Sequence, residues 1–271
     1  MSFMQALRTR WSNADSLVCV GLDPEPAKFP ARFANDADAV FAFCRDIVDA
    51  TAPYVCAFKP QIAHFAALGA EDALARLIAH IHAAHAGIPV ILDSKRGDIG
   101  STAQHYAAEA FDRYRADAVT ANPYLGRDSV QPFLDRADRG VVVLCRTSNP
   151  GAGDLQDLVV DGRPLYQHVA HKVAHEWNGH GNCSLVVGAT WPAQLKEVRA
   201  IVGSEVPFLV PGVGAQGGDV EAVVTNAKTA DGTGLIVSSS RAVLYASNGD
   251  DFAQAAANAA RELRDQINRY R

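Results

Sequence analysis

The chain is short of the features that mark nucleic-acid binders, membrane proteins and disulfide scaffolds. Lysine and arginine number 25 against 30 aspartates and glutamates, a net charge of -5, and no basic stripe stands out. A phosphate-backbone partner is therefore disfavoured, and no nucleic acid is expected. No apolar run approaches the length of about 20 residues that spans a bilayer. The opening stretch "MSFMQALRTRWSNADS" lacks the apolar segment of a signal peptide. The five cysteines, Cys19, Cys44, Cys56, Cys145 and Cys183, are odd in number and form no C-x-x-C pair. Four lie inside apolar strand-like runs, as expected of reduced core thiols in a cytoplasmic protein without membrane attachment. There is no low-complexity segment, no H-E-x-x-H, and no G-x-G-x-x-G after the first apolar run.

Present instead is a chain of 271 residues, 48% hydrophobic and 20% charged, a globular composition able to bury a sizeable core. Eight short apolar runs recur: "LVCVGLD" (17–23), "YVCAFKP" (54–60), "IPVILDSK" (88–95), "AVTANPY" (118–124), "VVVLCRTS" (141–148), "SLVVGAT" (184–190), "VPFLVPGVG" (206–214) and "GLIVSSSR" (234–241). Helical stretches such as 64–86, 101–115 and 164–178 separate them. Near-continuous apolar strands alternating with helices indicate a parallel sheet buried on both faces. Eight such units predict a (β/α)8 TIM barrel, a single α/β domain over residues 1–271. An open doubly wound sheet is the rival, weakened in its dinucleotide-binding form by the missing glycine turn.

The polar residues fall at the strand ends: Asp23, Lys59, Asp93 with Lys95, Asn122, Ser148, Thr190, Gln216 and Arg241. Barrel enzymes build their sites on that face. Turn-making explains Asn, Ser and Thr there, but explains two lysines and two aspartates poorly. Asp93 and Lys95, two apart, share a face of a strand, and Asp98 follows in the loop. Carboxylates alternating with lysines favour the ammonium form. Lys95 is thus poorly placed to form a Schiff base and well placed as a proton donor beside developing negative charge.

"PGVGAQGG" (211–218) and "VSSSRAV" (237–243) follow strands seven and eight, where barrels often hold a phosphate. Arg241 can grip phosphate oxygens with its planar fork. The connection 146–162 is long and rich in Gly, Asn and Asp, as a lid or a plain surface excursion would be. His80, His82 and His85 lie on one helix and His168, His171 and His175 on another. Both trios are expected to be surface histidines, and no metal site is assigned to them.

"DSKRGDIGSTA" (93–103) resembles the D-x-K-x-x-D signature of the orotidine 5'-monophosphate decarboxylases. "VGLDP" (20–24), "FKPQ" (58–61), "VTANPYLG" (119–126), "TSNPGAGDLQ" (147–156), "VVGAT" (186–190), "PGVGAQGG" (211–218) and "SSSRAV" (238–243) are similar, in order, to the longer bacterial form of that family. The resemblance implies conversion of orotidine 5'-monophosphate to uridine 5'-monophosphate and carbon dioxide in de novo UMP synthesis. It further implies no metal, no cofactor, and a homodimer with sites shared across the subunit interface. By the same resemblance Lys95 protonates C6 of the pyrimidine and Asp93 lies against the substrate carboxylate. Asp98 comes from the partner subunit, with Thr102 near it. Lys59, a member of the charged array, binds the ribose with Asp23. Ser148 bonds the pyrimidine edge, Gln216 bridges base and phosphate, and Arg241 takes the phosphate.

The commoner short form has Ser-His-Pro-Gly where this chain has "TSNPGAGD", and Ile-Pro-x-Thr where it has "DIGST". Two alternatives stand beside this reading. One is a magnesium-dependent sugar-phosphate lyase of the same superfamily, which carries a Glu near the Lys59 position. The other is a catalytically silent nucleotide-binding barrel.

Overall fold

Each of the eight apolar runs forms a strand in the computed structural model, which describes residues 1–213 and 218–271. In chain order the strands are Val18–Leu22, Ala57–Pro60, Ile91–Arg96, Ala118–Ala121, Gly140–Arg146, Cys183–Val187, Phe208–Pro211 and Leu235–Ser239. All their ladders are parallel. The spatial order is two, one, eight, seven, six, five, four, three, which is sequential around a ring. Strands two and three, the nominal edges, meet through parallel bridges at Phe58↔Val90 and Gln61↔Asp93. A doubly wound sheet would reverse its strand order part-way, so the expected (β/α)8 barrel is the fold.

A helix follows every strand: Ala39–Thr51, Glu71–Ala84, Gly100–Ala108, Arg127–Leu134, Leu165–Lys172, Pro192–Val202, Val220–Ala227 and Phe252–Asn268. Their apolar faces close over the outside of the barrel, so strands one, two, four and eight are buried at every residue. This explains why the strands read as continuous apolar runs rather than alternating ones. All five cysteines are buried and unpaired. Burial pushes the thiols of Cys19, Cys145 and Cys183 up to about 12, which keeps them protonated and inert. Among the described residues no helix is long and apolar enough to cross a membrane.

Helix packing also reaches the barrel mouth. Phe43, on the helix after strand one, stacks on Tyr245 at 6.0 Å and on Phe252 at 5.3 Å. Held there, the Tyr245 hydroxyl donates to the Asp23 carbonyl (2.9 Å) and accepts from Glu25 N (2.8 Å). Burial keeps the phenol above the usual tyrosine range, so it remains a donor. The loop after strand one is thus fixed to the segment after strand eight, more than 200 residues away.

Candidate active site

At the C-terminal mouth of the barrel, Asp93 is the hub of a charged array. Lys59 Nζ donates to its Oδ2 (2.8 Å), Lys95 Nζ to its Oδ1 (2.5 Å), and Thr120 Oγ1 also to Oδ1 (3.0 Å). The side chains of Lys59 and Asp93 are only 6% and 9% exposed, whereas Lys95 is 46% exposed and reaches into the mouth. Burial alone would lower the Lys59 ammonium's pKa. The Asp93 and Asp23 carboxylates outweigh it and hold the group above the usual lysine range. Burial would likewise raise Asp93, but Lys59 and then Lys95 keep its carboxyl well below the usual carboxylate range. Both groups are therefore charged at neutral pH.

Strand alternation does not produce the Asp93–Lys95 contact. Pairing shifts register between Leu92 and Arg96, and Lys95 has φ +48°, in the left-handed region that L-residues rarely enter. Thr120 supports this bulge by accepting from Ser94 N and Lys95 N, both at 2.9 Å. A backbone outlier stabilised by a neighbouring strand is a common device for aiming a functional side chain. Thr120 was not singled out from sequence; its only signal is a hydroxyl in the apolar run "AVTA".

Beside the array opens a cavity of about 340 Å³, lined by Asp23, Glu25, Lys59, His64, Asp93 and, opposite, Pro211 to Val213 and Ser238 to Arg241. Asp23 Oδ1 is buried in this wall with no hydrogen-bond partner among the described residues. Such an atom is costly unless a ligand donor satisfies it. Arg241 opens the short helix Arg241–Leu244 directly after strand eight. Its neighbour Ser240 packs so closely on strand one that a Cβ at Gly21 would meet Ser240 Oγ at 1.9 Å, so a larger residue there would displace the Ser240 hydroxyl. Gln216 lies outside the described residues. Glu25 and His64 are wall residues that sequence reasoning missed; His64 Nδ1 lies 3.2 Å from the Pro24 carbonyl.

The remaining candidates stand apart. Asp98 makes no hydrogen bond or ion pair with the array among the described residues, and its Oδ1 accepts from Ile99 N (2.8 Å). Thr102 is exposed on the helix after strand three. Ser148 sits at the root of the loop after strand five. Asn122 serves as a turn residue, accepting from Tyr124 N (3.0 Å), and the Thr190 hydroxyl is buried without a partner among the described residues.

The 146–162 connection is not featureless: it holds the helix Gly153–Gln156 and half of a small hairpin, Val159–Val160 with Arg163–Pro164. The first histidine trio is more engaged than a free surface set. His80 and His85 both address Asp49 Oδ1, at 2.6 and 2.7 Å, and His82 addresses Asp117 (2.9 Å). The Nδ1 atoms of His80 and His85 have no hydrogen-bond partner among the described residues, whereas metal-ligating imidazoles are usually oriented by such a bond.

The sequence model described as "Orotidine 5'-phosphate decarboxylase / HUMPS family" matches residues 16–256. A protein of Azoarcus sp. named orotidine 5'-phosphate decarboxylase is 63% identical over 271 residues, covering 100% of both chains. The protein of that name from Bordetella petrii is 60% identical over 272 residues, again covering 100% of each. Among solved structures, the OMP decarboxylase of Leishmania donovani is 42% identical with a TM-score of 0.87, covering 100% of this chain and 98% of that one. The UMP synthase of the same organism is 44% identical with a TM-score of 0.89, covering 100% of this chain and 56% of that one. With this likeness over its whole length, the chain belongs to the orotidine 5'-phosphate decarboxylase family and is an enzyme of the carboxy-lyase class.

Proposed function

We propose that this enzyme converts orotidine 5'-monophosphate to uridine 5'-monophosphate and carbon dioxide, in the cytoplasm, with Lys95 as proton donor and without metal or cofactor. The observation that carries the reading is the Lys59–Asp93–Lys95 array at the barrel mouth. Breaking the bond from C6 to the carboxylate leaves an electron pair in the ring plane, where the π system cannot delocalise it. A nearby cation must stabilise that pair and a proton must then quench it. The Lys95 ammonium supplies both, forming the C6–H bond and leaving a neutral amine that solvent reprotonates.

Asp93 next to the substrate carboxylate adds repulsion. At about 4 Å and an effective dielectric near 20 that is about 4 kcal/mol, roughly a thousandfold in rate. Binding energy from the phosphate at Arg241, and from Gln216, supplies a further share by closing the lid over the base. Asp23 and Lys59 hold the ribose, the unpartnered Asp23 oxygen accepting a hydroxyl. A divalent ion at Asp93 would meet Lys59 Nζ, 2.8 Å from the same carboxylate, which disfavours the magnesium-dependent lyase chemistry.

The site is completed by a second copy of the chain. Asp98 and Thr102 lie outside the hydrogen-bonded array of their own chain, and Ile99, Tyr124 and Leu125, in the segments after strands three and four, are 58%, 75% and 48% exposed. Exposed large apolar residues after two neighbouring strands, with a carboxylate that the array of its own chain does not engage, support a homodimer in which Asp98 serves the partner's Lys95. The test is the ultraviolet assay of orotidine 5'-monophosphate before and after dialysis against EDTA. Turnover should survive; loss restored by magnesium would favour the lyase chemistry, and no turnover in either state the silent barrel.

A further inference from the structure

Arg146 ends strand five with only 1% of its surface exposed, although it is an arginine. A buried guanidinium is costly unless it is bonded. Its side-chain hydrogen bonds go to the loop and not to the barrel: Nη1 donates to Gln156 Oε1 (3.2 Å) and Nη2 to Asp157 Oδ2 (3.0 Å). Its Cζ lies over the Trp191 ring, 4.1 Å from the ring centre, a cation–π contact. Gln156 returns to the start of the loop. Its Oε1 accepts from Thr147 N (2.8 Å) and its Nε2 donates to Thr147 Oγ1 (2.9 Å). Trp191 Nε1 donates to the Thr147 carbonyl (2.9 Å).

Both backbone groups of Thr147 are therefore held. The next residue, Ser148, is pressed against strand six's end so tightly that a Cβ at Gly188 would meet its Cα at 2.8 Å. We propose that Arg146 is a positioning residue: through Gln156 it straps the two ends of the 147–157 loop together and so sets Ser148 against the base of the substrate. The proposal rests on the reading of Ser148 as the pyrimidine contact. It separates the loop's fixed root, Thr147 with Gln156 and Asp157, from its middle, where Asn149, Pro150 and Gly151 are exposed.

The test is a double-mutant cycle. Arg146→Met and, cutting the same strap from the loop side, Gln156→Ala should each lower kcat/KM by up to about 100-fold, as misplacing a contact by about 1 Å does. Arg146→Lys should recover only part of the loss, because an ammonium lacks the two-pronged fork. The losses should be equal on orotidine and its 5'-monophosphate, since the strap does not touch the phosphate end. In a Ser148→Ala background the further loss should nearly vanish. Additive losses would overturn the strap, as would full activity in Gln156→Ala. If Ser148→Ala alone is silent, the reading of Ser148 fails, and hydrogen exchange of residues 147–156 decides the strap. Faster exchange in Gln156→Ala with unchanged barrel strands upholds it; unchanged exchange overturns it.

Discussion

Replacing Asp93 with Asn removes one charge from the hub and leaves two ammonium groups behind. Lys59 suffers more, because its side chain is 6% exposed and it keeps only Asp23 as a nearby carboxylate among the described residues. At 2.8 Å and an effective dielectric near 20, the Lys59–Asp93 attraction is about 6 kcal/mol. Desolvating both ions offsets most of that, so the pair contributes little net stability, yet breaking it costs about 3–5 kcal/mol. With about 2–4 °C per kcal/mol for a chain near this size, Asp93→Asn should lower Tm by about 6–20 °C. Adding Lys59→Met removes the stranded charge, and the double variant should regain most of the lost stability. Neither variant should regain activity. Urea unfolding followed by tryptophan fluorescence gives the stabilities, and the ultraviolet assay gives kcat/KM. A single variant as stable as wild type, or a double variant no more stable than Asp93→Asn, would refute the idea that Asp93 compensates a buried Lys59.

Arg241→Ala should reduce kcat/KM for orotidine 5'-monophosphate by about 10–100-fold, the worth of a charged hydrogen-bonding group. It should barely affect orotidine; equal losses would contradict a phosphate contact. Asp93 has a depressed pKa in the folded state, so its stabilisation is present above the unfolded value of about 3.9 and is lost as pH falls towards the folded one. Lys59→Met removes the largest cause of that depression, so its acid unfolding should begin at higher pH than wild type, as read from denaturant midpoints between about pH 3 and 6. Mixing Lys95→Ala and Asp98→Ala homodimers under verified subunit exchange should return about a quarter of sites to full activity; exchange without recovery would show that Asp98 serves its own chain.

The barrel was legible because parallel strands covered on both faces must be apolar throughout, and eight such runs alternate with helices. The array was legible because two lysines and two aspartates at strand ends have no turn-making role. Its geometry was not. Lys95 meets Asp93 through a left-handed residue in a bulge held by Thr120, and no local preference of Lys announces φ > 0. Tyr245 and Arg146 were missed because their partners lie across the fold or within a loop whose course only packing sets. The histidine helix read as plain surface because Asp49 comes from a different helix. Asn122, by contrast, carries the turn role its residue type suggests.

The central claim is that the Lys95 ammonium delivers the proton to C6. Lys95→Ala isolates it, because the substitution leaves the Lys59–Asp93 pair and the phosphate end in place. General-acid catalysis is typically worth about 10²–10⁴-fold. The variant should therefore keep less than about a hundredth of wild-type kcat while binding uridine 5'-monophosphate with nearly unchanged Kd, as expected of a group acting mainly in the transition state. A variant that keeps more than about a hundredth of kcat, with intact product binding, would contradict the proton-donor role.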